Sequence, residues 1–122
     1  MEKNILLVED ETILGDIYKS KLESVGYNVI WALTAEEGLK KARKERIDLV
    51  LLDILLPKKS GIYFLSEMKK DNKIADITVL VFSNFDDPLT REKAFELGAK
   101  EYIIKTSFTA KELVNKVKEY LS

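Results

Sequence analysis

ILLVEDE, residues 5–11, runs four apolar residues straight into three consecutive carboxylates. A short, wholly apolar run reads as a strand of a parallel sheet covered on both faces. Like charges packed where that strand ends carry an electrostatic cost, which a counter-charge or a cation would remove.

Outward from that stretch, short apolar runs alternate with helical patterns. Strands are expected at Asn4–Val8, Tyr27–Ala32, Leu49–Leu52, Thr78–Phe82 and Glu101–Ile104. Ile13, Leu14, Ile17, Leu22 and Val25 mark the inner face of a first helix, ended by Gly26 in a left-handed conformation. Asp10 or Thr12 could cap its start. Thr34 with Glu37, and Thr109 with Glu112, read as capping boxes. Asp87 before Pro88 reads as an N-cap with a first-turn proline, and Gly98 closes that helix. A further helix, about Ile62 to Lys70, follows the Pro57–Gly61 turn. The pattern is α/β, five βα units that wrap helices around a parallel sheet.

The chain has 122 residues, 46% of them hydrophobic, which suits one domain over residues 1–122 with no linker. The longest apolar stretch, Leu49–Leu56, is interrupted by Asp53, and Met-Glu-Lys-Asn is not a secretory start, so a soluble, cytoplasmic protein away from membranes is expected. With 20 basic and 21 acidic residues there is no basic field for nucleic acid, and any DNA contact would need another domain. The sequence holds no cysteine and no histidine, which removes disulfides, thiolate or imidazole metal sites, and histidine as base or phosphoryl carrier.

In an open α/β sheet the ligand site lies beyond the carboxyl ends of the strands. Glu9 and Asp10, Asp53, Ser83 with Asn84, and Lys105 stand at those ends. A rim of carboxylates without histidine or cysteine suits a hard cation, Mg²⁺ in preference to Mn²⁺. The acidic turn would repel a nucleotide or flavin phosphate, and neither GxGxxG nor a Walker A sequence occurs. An aspartate beside a cation, with a lysine and a hydroxyl close by, is equipped for phosphoryl transfer, and Asp53 on the central strand is best placed as nucleophile.

VEDE at 8–11, Asp53 in LVLLDILLP, Ser83 in VLVFS and Lys105 in EYIIK together resemble the receiver domain of bacterial two-component response regulators. The resemblance implies a three-layer, flavodoxin-like fold with five helices and strand order 2-1-3-4-5. It implies that Asp53 takes a phosphoryl group from a sensor histidine kinase. Asp10 would bind Mg²⁺ directly and Glu9 through water, joined by Asp53 and the Leu55 backbone carbonyl. Lys105 would pair with phosphoryl oxygens, Ser83 would move to hydrogen-bond them, and Tyr102 would turn inward as the aromatic switch.

The sequence departs from that family in three places. The lysine is usually followed by a proline in a cis peptide; here Thr106 follows, so the isomer is open, and a trans bond would swing Lys105 or re-route the loop. Thr106-Ser107-Phe108 is one residue longer than usual, and Asn84 replaces a small residue, narrowing access. Leu55 and Phe85, two residues past Asp53 and Ser83, leave an attacking water without a polar partner, which predicts slow self-dephosphorylation.

Two outputs compete: a free-standing receiver that binds another protein, and the receiver of a DNA-binding regulator. Arg91, Glu96, Glu101, Glu112, Lys116 and Lys118 resemble the charge pattern of winged-helix transcription regulators, which dimerise through the fourth helix, fifth strand and fifth helix. Arg91 would face Glu112, Glu96 would face Lys118, and Glu101 would face Lys116, each pair occurring twice about a two-fold axis. They could equally be a solvated charged face. A phosphatase working through an aspartyl phosphate is disfavoured, because Asp53-Ile54-Leu55 lacks the second acid its leaving group would need. A receiver would catalyse only its own phosphorylation and dephosphorylation.

Overall fold

A computed structural model describes residues 2–121. Five strands, β1 (Asn4–Val8), β2 (Asn28–Ala32), β3 (Leu49–Leu52), β4 (Thr78–Ser83) and β5 (Glu101–Ile104), alternate with helices α1 (Thr12–Ser24), α2 (Ala35–Lys44), α3 (Gly61–Lys69), α4 (Pro88–Glu96) and α5 (Ala110–Leu121). The strands are all parallel, in the order 2-1-3-4-5.

Alternation along the strands builds two cores. Leu6, Val8, Val50, Leu52, Val79 and Val81 face one way, against Leu39, Phe64, Leu65, Met68 and Ala94 of α2, α3 and α4. Ile5, Leu7, Leu49, Leu51, Leu80 and Phe82 face the other, against Tyr18 and Leu22 of α1 and Leu113, Val114 and Val117 of α5. The rings of Tyr18 and Phe82 pack edge to face, 4.9 Å between centroids. No helix among the described residues is long and apolar enough to cross a membrane.

The local signals mostly act as expected. Thr34 accepts from the Glu37 N–H, Thr109 and Glu112 bond reciprocally, and Asp87 accepts from the Thr90 N–H before its first-turn Pro88. Gly26 and Gly98 follow α1 and α4 with φ of +102° and +103°, where a side chain would be strained. The inner face of α1 needs correction: Ile13 is 76% exposed, and Ile17 and Val25 are also in solvent. Gly15 and Tyr18 are buried beside the expected Leu22, and the indole of Trp31 packs onto the glycine. Neither Asp10 nor Thr12 caps α1; its N-cap is Glu11, without a side-chain bond.

Candidate functional site

The carboxyl ends of β1, β3, β4 and β5 gather Glu9, Asp10, Asp53, Ser83 and Lys105 at one rim. Carboxylate oxygens of Glu9, Asp10 and Asp53 lie within 4.8 Å of one another. Glu9, Asp53, Ser83 and Lys105 are buried, whereas Asp10 is exposed. The strands hold these positions by continuing the ladder past its last rung: Glu9 N–H donates to the Ala32 carbonyl at 3.0 Å, and Asp53 N–H to the Val8 carbonyl at 3.1 Å.

Lys105 supplies the counter-charge. Its ammonium donates to Asp53 Oδ2 at 2.9 Å and to Glu9 Oε1, and Glu11 stands 4.0 Å away. The Glu9 carboxylate also accepts from the Glu11 N–H at 3.1 Å, and Asp53 Oδ1 from the Leu55 N–H at 3.3 Å. Burial holds the Glu9 carboxyl above its ordinary range, although Lys105 and the Glu11 amide pull it down. Burial would lower the Lys105 pKa, but hydrogen bonds and charge from Glu9 and Asp53 outweigh it and raise the value. The ammonium also lies 6.0 Å from the centre of the Phe82 ring.

The described residues contain no cis peptide bond, so Lys105–Thr106 is trans. The loop is re-routed into a 3₁₀ turn over Lys105–Ser107, and the Lys105 side chain still enters the site. The Thr106 N–H, absent from a proline, donates to Asn84 Oδ1 at 3.0 Å. Asn84 and Ser83 line one small cleft with Asp10, Asp53, Leu55 and Lys105. Ser83 Oγ accepts from the Phe85 N–H at 3.2 Å. Tyr102 is buried, its hydroxyl donating to the Phe85 carbonyl and the Arg91 guanidinium standing 5.1 Å above its ring.

Of the six charged residues expected on a dimer face, Glu96, Glu112 and Lys118 are exposed, and Arg91, Glu101 and Lys116 are half-buried. Within the chain Arg91 bonds Asp86 at 2.6 Å, Glu112 bonds the Thr109 N–H, and Glu101 accepts from Tyr120 and lies 4.0 Å from Lys116.

A family model described as response regulator receiver domain matches residues 5–118. The chain belongs to that family. Among curated relatives, this receiver is 36% identical over 121 residues to the alkaline phosphatase synthesis transcriptional regulatory protein PhoP of Bacillus subtilis, covering 99% of the chain and 49% of the relative. It is 33% identical over 120 residues to the probable transcriptional regulator ycf27 of Porphyridium aerugineum, covering 98% of the chain and 48% of the relative. The receiver therefore spans about half the length of the curated relatives it matches. Among solved structures, the non-phosphorylated HemR receiver domain of Leptospira biflexa superposes with a TM-score of 0.89 at 36% identity, covering 99% of this chain and 95% of that one. A CheY-like receiver domain protein of Methanospirillum hungatei gives 0.92 at 33% identity, covering 99% and 94%.

Reading the receiver's sequence missed two residues that its structure ties to the site. Trp31 donates its indole N–H to the Glu9 carbonyl at 2.8 Å, and Phe82 underlies Lys105. A lone tryptophan at the end of an edge strand was the only signal for the first, and nothing in the alternating pattern of β4 set Phe82 apart.

Proposed function

We propose that this receiver is a phosphorylation-activated switch whose acceptor is Asp53. The observation that carries this reading is the position of Asp53: one carboxylate oxygen bonded to Lys105 at 2.9 Å, inside a group of three carboxylates within 4.8 Å of one another. Three oxygen-donor side chains with no nitrogen or sulfur ligand fit a small hard cation, so Glu9, Asp10 and Asp53, with the Leu55 carbonyl, would hold Mg²⁺. When bound, Mg²⁺ supplies positive charge that offsets charge on the phosphoryl oxygens.

A carboxylate oxygen of Asp53 attacks the phosphorus of a phosphohistidine on a sensor histidine kinase. The P–N bond breaks, an acyl phosphate forms, and the leaving imidazole takes up a proton. Lys105, already bonded to Asp53, pairs with the incoming oxygens, and Ser83, one strand away, turns to hydrogen-bond them. That rotation withdraws Oγ from the Phe85 N–H. Because Tyr102 is bonded to the next atom group of the same residue, the Phe85 carbonyl, the change at Ser83 reaches β5 and α4.

The output we favour is control of a transcription regulator through dimerisation of the α4–β5–α5 face, with DNA contacted by a separate output domain. The transcriptional regulators PhoP and ycf27 support it, as do the exposed Glu96, Glu112 and Lys118. In the dimer Glu101 would exchange Lys116 of its own chain for Lys116 of the second copy. Size-exclusion chromatography with and without beryllofluoride and Mg²⁺ tests this: a shift to twice the mass supports it, and a monomer in both states favours a receiver that acts by binding a different protein.

A further inference from the structure

The Asp10 side chain is exposed, so neither packing nor burial aims it at Asp53; its backbone does. The backbone of Glu9 is held from β2 at both its N–H and its carbonyl, and the carbonyl belongs to the peptide that links Glu9 to Asp10. Glu9 N–H donates to the Ala32 carbonyl at 3.0 Å, and the Glu9 carbonyl accepts the Trp31 indole N–H at 2.8 Å. A further rung of the parallel ladder would supply that second donor from Thr34, but Thr34 is already the N-cap of α2, and Leu33 gives its N–H to the Glu37 carboxylate. The indole takes the place of the missing rung.

Its position there is built from two elements. The Trp31 carbonyl accepts from Lys41 Nζ at 3.0 Å. On the other side the ring lies on Gly15 so closely that a Cβ at that position would fall 2.0 Å from Trp31 Cζ2 and 2.6 Å from Cε2. Glycine inside a helix is unfavourable relative to alanine, and here it is what admits the ring. α1 therefore carries a glycine where the indole must reach past it to the acidic turn.

We infer that Trp31, seated on Gly15, is a positioning residue for the cation site: its N–H fixes the plane of the Glu9–Asp10 peptide and thereby the direction of the Asp10 carboxylate. The inference rests on the Mg²⁺ reading above. Because Trp31 is the chain's single tryptophan, its emission reports the same contact directly.

The test is calorimetric titration with MgCl₂ of the wild-type chain, Trp31→Phe, Gly15→Ala, and a chain carrying benzothienylalanine at position 31, which keeps the ring's size and lacks the N–H. Thermal melts of all four run alongside. The positioning role predicts that the benzothienylalanine chain melts close to wild type yet binds Mg²⁺ about three- to tenfold more weakly, the range set by one hydrogen bond. Trp31→Phe should weaken binding similarly, and Gly15→Ala should do so with a red shift of Trp31 emission. A wild type that binds Mg²⁺ beside a benzothienylalanine chain of equal affinity overturns this inference alone, whatever the melting temperatures. A wild type that takes up no Mg²⁺ overturns the cation reading, and this inference with it.

Discussion

Asn84 Oδ1 accepts the Thr106 backbone N–H at 3.0 Å, so two of the positions at which this receiver departs from its family's pattern are bonded to each other. A proline after the lysine would offer no N–H, and a small residue after the hydroxyl position would offer no acceptor. Together they join the β4–α4 loop to the turn that delivers Lys105.

Asn84→Ala should leave the Thr106 N–H to solvent and loosen that turn. Since both groups are exposed, the cost in stability should stay at or below about 1 kcal/mol. The larger effect expected is slower phosphorylation by a small-molecule donor, because Lys105 is less well held. Urea midpoints and rates of acetyl phosphate labelling check the two halves; a strongly unfolded variant with unchanged labelling would contradict both.

Lys105→Met should strand Glu9 and Asp53 as unpaired buried carboxylates and destabilise the metal-free chain by about 3–5 kcal/mol. Mg²⁺ should restore more stability to this variant than to wild type. The pH dependence follows from the raised Lys105 pKa. Its contribution is fully present below the ordinary lysine value of 10.5 and is lost as pH rises through the higher folded value. The gap between wild type and Lys105→Met, measured by denaturant midpoints, should therefore narrow above about 10.5, and should narrow again towards acid pH, where Glu9, no longer drawn down by Lys105 in the variant, takes up a proton.

Ser83→Ala should still accept a phosphoryl group, since Asp53 and Lys105 are untouched. It should lose much of the response at Tyr102, whose hydroxyl is joined to Ser83 through Phe85. Equal phosphate-dependent dimerisation or partner binding in Ser83→Ala and wild type would remove Ser83 from the coupling.

Much of this architecture is legible in the sequence, because hydrophobic runs, caps and turn glycines all point the same way. Every strand lies within one residue of its expected bounds at either end, and the rim residues follow from strand ends alone. The inner face of α1 is not legible: Ile13 and Ile17 outrank Gly15 and Tyr18 on any hydrophobic scale, and only the tertiary contact with Trp31 makes a glycine a core position. For the same reason Trp31 escapes notice, since its bond is to a backbone carbonyl, which no residue type announces. α4 presents a single buried residue, Ala94, with Leu89 and Phe95 exposed, so Asp87-Pro88 and Gly98 mark its ends where periodicity does not mark its face.

Slow self-dephosphorylation is expected from the pair of apolar residues beside the cleft. Leu55 and the half-buried Phe85 offer no polar group to position an attacking water. Phe85→Ala opens that side to solvent and should shorten the lifetime of the phosphorylated protein several-fold, followed by intact mass over time. A short lifetime in wild type, unchanged by the substitution, would contradict the expectation.

The acceptor role of Asp53 is tested most directly by intact-protein mass after incubation with acetyl phosphate, in Mg²⁺ and in EDTA, for wild type and Asp53→Asn. A single phosphate adduct on wild type that requires Mg²⁺, absent from Asp53→Asn under both conditions, is the predicted result. An adduct that persists in Asp53→Asn, or forms equally well in EDTA, would contradict it.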